Sequence, residues 1–238
     1  MAAASPSVAT PDFAGLRRTM VDCQIRTFDV TNQALLAKFL EIPRETFVPA
    51  EASGLAYSDA TLKLKLAGTD ESQRCLLPPL ILARLLQAAE PTAHDKVLDV
   101  APGTGYSTAI FCALGAQVCA LESAPSLADA IPANLAGLGL KPAVCTTGPL
   151  SAGVSGEAPF DLIFVNGAVE TNLDTLFAQL KDRGRLVAIK VDAAAPGTVK
   201  PSHAVLFEKT SGGIGMRTLF DASAPVLAAF RSGVKFVF

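Results

Sequence analysis

The chain has 238 residues, half of them hydrophobic and 18% charged, with a formal net charge of −2. That length suits one large domain, and the apolar share is enough for a sizeable core. Basic residues are neither in excess nor clustered, Trp is absent and aromatics make up 6%, which argues against a nucleic-acid partner and a base-stacking surface.

Residues 1–7 lack the basic and long apolar parts of a secretion signal, and residues 1–12 read as a disordered tail. No stretch reaches the roughly 18 consecutive apolar residues of a membrane span. The five cysteines are odd in number and form no C-x-x-C pair, so they read as reduced thiols of a cytoplasmic protein. His94 and His203 stand far apart, and no metal site is expected.

Apolar residues recur at helical spacing over 13–40, with a break at 28–30 and Thr31 as the expected cap of a second helix. Two prolines, Pro43 and Pro49, bound a turn. Residues 52–73 carry few signals and read as an extended surface segment. A helix is expected over 76–89, with Pro78 and Pro79 in its first turn. From residue 91 strands and helices alternate. Strands are expected at 96–100, 117–121, 142–146, 160–165 and 185–191, and helices at 107–114, 127–138 and 173–180. That alternation predicts an α/β, doubly wound, mostly parallel sheet. Segments 204–209, 215–219 and 234–238, joined by Gly-rich turns, read as antiparallel strands at its edge. Residues 13–90 then form an N-terminal helical cap region, and 91–238 a nucleotide-binding core of the same domain.

The segment Asp99-Val100-Ala101-Pro102-Gly103-Thr104-Gly105-Tyr106 follows an apolar strand and opens a helix. In such sheets ligands bind outside the carboxyl ends of the strands. Small residues at 101, 103 and 105 permit close backbone approach. A dinucleotide fingerprint would place a third glycine at position 106, which is Tyr106. Asp99 would repel a pyrophosphate, and it suits a ligand with an ammonium group. The pattern favours S-adenosylmethionine over a nicotinamide dinucleotide. Glu122, at the end of the next strand, can accept two hydrogen bonds from ribose hydroxyls. Asn166, after the fourth strand of the core, is either a further polar contact or a turn residue bonded to its own backbone.

Several segments resemble the protein-L-isoaspartate (D-aspartate) O-methyltransferase family. They are Met20-Val21-Asp22-x-Gln24-Ile25, Ile42-Pro43-Arg44-Glu45-x-Phe47-Val48-Pro49 and Ala56-Tyr57-x-Asp59. Phe160–Val165, Leu180-x-x-x-Gly184-Arg185-Leu186-Val187 and the closing Phe230-x-x-Gly233-Val234-x-Phe236-Val237-Phe238 continue the likeness. The resemblance implies a Rossmann-like methyltransferase acting in protein repair. It would transfer a methyl group from S-adenosylmethionine to isoaspartyl carboxylates of damaged proteins or peptides. It places Asp99, Ala101, Gly103, Thr104, Gly105, Glu122, Ser123, Pro149, Leu150 and Asn166 around the cofactor. Leu76, Leu77 and Pro78 fall at the substrate pocket. No catalytic acid–base residue is singled out. Three positions depart from the family pattern. Leu77 stands where a hydroxyl residue is expected, Pro149 where an acid lies near the adenine, and Ala101 where the loop has its first glycine. Ala101 is expected at negative φ. The departures leave two alternatives: a methyltransferase with another, small-molecule acceptor, and a non-catalytic member that binds a nucleoside or a protein partner.

Overall fold

The computed structural model describes residues 11–64, 74–193, 198 and 200–233. The expected strand at 234–238 and most of the tail at 1–12 lie outside the described residues.

The chain begins with helices. Asp12 accepts from the Gly15 amide and caps α1 (Phe13–Thr19), which runs on as a wider π turn over Met20–Ile25. The second helix, α2 (Gln33–Glu41), is capped by Asn32, whose side chain accepts from the Leu35 amide, and not by Thr31. Its apolar Leu35, Leu36 and Phe39 are buried on one face. The two prolines bound a 3₁₀ turn, Arg44–Phe47. Part of the quiet segment is a short strand, β1 (Leu62–Leu64), which pairs antiparallel with β2 (Arg74–Leu76). Leu76 is therefore in a strand and not in the helix expected there; α3 spans Pro79–Ala89. Proline at 78 holds residue 77 extended, so the helix starts only after it.

Among the described residues the core sheet has seven strands. They are β3 (Lys96–Val100), β4 (Gln117–Glu122), β5 (Val144–Thr147), β6 (Phe160–Val169), β7 (Leu180–Val191), β8 (Ser202–Thr210) and β9 (Gly213–Asp221), in the order β5-β4-β3-β6-β7-β8-β9. Pairing is parallel from β5 to β7 and antiparallel for β8 and β9. Helices α4 (Tyr106–Ala113), α5 (Pro125–Ala136) and α6 (Asp174–Ala178) join the parallel strands. Strand β6 runs past residue 165 with a bulge after Phe164, so Asn166 lies within it rather than beyond it. The helix expected over 173–180 is shorter, and Leu180 already belongs to β7.

Side chains alternate along each parallel strand, as a two-residue period requires. Val97, Leu162, Phe164, Val187 and Ile189 pack with α2, α3, α4 and α5 on one face. Leu98, Val100, Ile163, Val165, Leu186 and Ala188 pack with α6 and nearby short turns on the other. Both faces are covered, which is why these strands read as continuous apolar runs. The strand order reverses between β3 and β6, and loops following the parallel strands meet at that carboxyl edge.

Candidate active site

The turn from β3 to α4 holds three residues in the left-handed region: Ala101 at φ 57°, Gly103 at φ 64° and Gly105 at φ 97°. The expectation of negative φ at Ala101 is therefore corrected. Its amide donates to the Leu121 carbonyl at 2.9 Å, and this tie to β4 holds the alanine in a conformation that glycine adopts more readily. Gly105 resists substitution for a reason beyond its positive φ. A Cβ there would lie 3.1 Å from Ile131 Cγ2 and 3.3 Å from Leu135 Cδ1, in α5. Gly105→Ala is expected to lower folding stability by about 1–2 kcal/mol, read as a shifted urea midpoint with an unchanged slope.

Asp99 is fully buried. It takes a position on β3 that the alternation turns toward α4, where an apolar side chain would otherwise sit. Its Oδ2 accepts from Ser107 Oγ at 2.8 Å and Thr108 Oγ1 at 2.6 Å, and its Oδ1 from Asn166 Nδ2 at 2.7 Å. Asn166 also donates to the Val100 carbonyl. Burial pushes the Asp99 carboxyl up to about 7; the three hydrogen bonds oppose that shift, and nearby Glu122 adds to it. Asp99 and Asn166 thus brace the turn against α4 and β6 from beneath.

Glu122, at the end of β4, is also fully buried. Its Oε1 accepts from the Gly103 amide at 2.7 Å, which fixes the acid against the turn. Its Oε2 accepts from the Ser123 amide at 3.1 Å and from Arg74 Nε at 3.0 Å. Burial raises the carboxyl, and the Arg74 guanidinium pulls it back down. Arg74 Nη2 donates to Ser123 Oγ at 2.6 Å. Arg74 is not among the residues that the sequence marks for the site. Its one mark in the sequence is that of a cation at the head of the apolar run Cys75-Leu76-Leu77-Pro78.

Thr104 joins the turn to the N-terminal region, its Oγ1 donating to the Phe47 carbonyl at 2.5 Å. Its carbonyl accepts from Asn134 of α5. Arg44, in the same proline-bounded motif as Phe47, is fully buried. It donates to the Ala56 and Leu77 carbonyls, both at 2.8 Å, and its guanidinium lies 4.8 Å from the centre of the Tyr106 ring. Glu45 accepts from Tyr57 and from Arg17. Asp59 accepts from the Leu80 amide at the start of α3. The N-terminal motif residues therefore build a wall behind the turn. Leu76 and Leu77 are buried in that wall, and Pro78 is half-buried. On the far side, Pro149 is exposed and Leu150 is buried in the second core. The turn and its hydrogen bonds thus bring Asp99, Ala101, Gly103, Thr104, Gly105, Glu122, Ser123 and Asn166 together; Leu150 shares a buried core with Ala101, and the Gly148 amide before Pro149 donates to the Glu122 carbonyl at 2.9 Å.

The family model for protein-L-isoaspartate(D-aspartate) O-methyltransferase matches residues 17–200. A protein-L-isoaspartate O-methyltransferase of Koribacter versatilis is 38% identical over 182 residues, covering 75% of this chain and 79% of the relative. One from Methylorubrum extorquens is 38% identical over 181 residues, 76% of each chain. Among solved structures, a protein-L-isoaspartate O-methyltransferase superposes with a TM-score of 0.74 at 22% identity, over 90% of this chain and 65% of its own length. A Plasmodium falciparum protein described as a beta-aspartate methyltransferase, solved with S-adenosyl-L-homocysteine, superposes with a TM-score of 0.68 at 16% identity, over 92% of this chain and the whole of the other. At those identities the two structures speak to the fold, and the sequence matches speak to kinship. This chain belongs to the protein-L-isoaspartate (D-aspartate) O-methyltransferase family.

Proposed function

We propose that this chain is an S-adenosylmethionine-dependent O-methyltransferase acting on isoaspartyl carboxylates of damaged proteins or peptides. The observation that carries the reading is Glu122, a carboxylate bonded to the Gly103 amide at the carboxyl end of a parallel sheet. A carboxylate so placed suits a ribosyl diol, and a turn with three left-handed residues suits close contact with a nucleoside. The donor set fits the cofactor. Glu122 would accept from the ribose hydroxyls. Ala101, Gly103, Thr104 and Gly105 would line the amino-acid part, with Asp99 and Asn166 holding the turn in shape. Ser123, Pro149 and Leu150 would flank the base, and Leu76, Leu77 and Pro78 would form the acceptor wall.

The cofactor, when bound, supplies an electrophilic methyl group on a sulfonium. An acceptor carboxylate is already ionised at neutral pH, so no side chain has to remove a proton. The work left to the protein is positioning and exclusion of water. The buried wall of Leu76 and Leu77 does the second. The five cysteines are free thiols, which suits the reducing cytoplasm. Among the described residues no helix is long and apolar enough to cross a membrane.

The direct test is methyl-ester formation on an isoaspartyl peptide with radiolabelled cofactor. Transfer to the isoaspartyl peptide and none to its aspartyl twin supports the reading; no ester on either overturns it. One observation favours a second reading. Leu77 offers no donor to a carboxylate, so a more apolar acceptor is the alternative. Leu77→Ser is expected to raise kcat/KM for an isoaspartyl peptide about tenfold, the equivalent of one hydrogen bond to a charged group. A fall in turnover would favour the other acceptor.

A further inference from the structure

Leu64 and Arg74 face each other across the small β1–β2 sheet. Both reach the turn. A Cβ on Gly103 would lie 2.5 Å from Leu64 Cδ1, so Leu64 already covers that glycine. Arg74 sits on Glu122 and Ser123, and is 1% exposed. One cross-strand pair thus occupies both the backbone and the acidic halves of the seat assigned above to the nucleoside.

We infer that the Leu64–Arg74 pair closes the nucleoside seat in the free protein, and that Arg74 sets cofactor affinity by competing with ribose hydroxyls for Glu122. This rests on the reading of Glu122 as the ribose acceptor. The competition is unequal in chemistry. A guanidinium donates charge-assisted hydrogen bonds to a carboxylate, whereas a ribose offers two neutral hydroxyls. The Glu122 oxygens already accept from Gly103, Ser123 and Arg74. Glu122 has no exposed surface while Arg74 lies against it, so the nucleoside gains its seat only when Arg74 leaves.

Two features make that departure accessible. Arg74 Nη1 is buried with no hydrogen-bond partner among the described residues, so the guanidinium is incompletely satisfied where it lies and regains water when it swings out. The β1–β2 sheet is separate from the seven-stranded one and, among the described residues, joins three residue pairs. A two-stranded pairing of that length contributes little stability of its own.

The test is calorimetric titration of the full chain with S-adenosylhomocysteine, comparing wild type, Arg74→Gln and Arg84→Gln. Arg84 lies over the Phe220 ring, away from the turn, and its loss changes the net charge equally. The expected result is a Kd at least tenfold lower in Arg74→Gln and unchanged in Arg84→Gln. Equal Kd values for wild type and Arg74→Gln overturn this inference and leave the proposed function standing. No binding by either protein overturns both. If Arg74→Gln does not fold, nitrogen-15 NMR of arginine-labelled wild type decides. The Arg74 Nε–H signal, assigned through its own side-chain bonds, is expected to lose its protection from solvent exchange at saturating S-adenosylhomocysteine. A signal unchanged at saturation overturns the inference.

Discussion

Glu122→Ala is expected to lower folding stability by about 3–5 kcal/mol, the range for removing one member of a buried ion pair. Glu122 and Arg74 are 0% and 1% exposed, so neither charge has water to fall back on. Without the carboxylate, Arg74 keeps only Ser123 Oγ, and its Nη1 already has no partner among the described residues. The Gly103 amide also loses its acceptor. For a domain of this size the loss corresponds to a fall in Tm of about 10 °C, measurable by calorimetry. The ion pair itself need not be the source of that stability. A double variant, Arg74→Met with Glu122→Leu, is expected to recover most of the loss, because an apolar pair replaces two desolvated charges. A double variant as unstable as the sum of the two single changes would show that each residue acts separately.

The second large effect is a dependence on pH. The Asp99 carboxyl is pushed up to about 7, above its ordinary value near 3.8, chiefly by burial. Between those two values the folded chain holds a proton that the unfolded chain has released. Stability from this group is therefore full below the unfolded value, falls as pH rises, and levels off above about 7. A gap of about three units amounts to about 4 kcal/mol. Asp99→Asn removes the titration and keeps an amide that can bond Ser107, Thr108 and Asn166. The stability of Asp99→Asn relative to wild type is expected to rise from pH 4 to about pH 7 and to level off by pH 8, followed by urea unfolding at each pH. A difference that stays flat across that range would mean that Asp99 is ionised throughout in the folded protein.

Much of this architecture can be read in the residues before any coordinates. The runs at 96–100 and 160–165 are legible because both sheet faces are covered, which favours apolar residues on either side of the strands and leaves Lys96, Asp99 and Asp161 as the exceptions. The glycines and the acid at 122 are legible because turns and ligands restrict residue type locally. What resists reading is pairing at a distance. Asn166 extends β6 instead of ending it because its amide finds Asp99, 67 residues earlier. Arg74 is buried because its acid lies 48 residues later. Neither partner is marked by local periodicity. Ala101 adopts a positive φ because β4 holds its amide, again a tertiary cause overriding a local preference.

The grip of Arg44 on the Leu77 carbonyl has a wider implication. It anchors the buried segment around Leu77 through main chain, so the path of that segment does not depend on which side chain stands at 77. Framework and chemistry are decoupled at this position. A chain that holds this segment by its main chain can change the side chain at 77 with no rebuilding of the scaffold behind it.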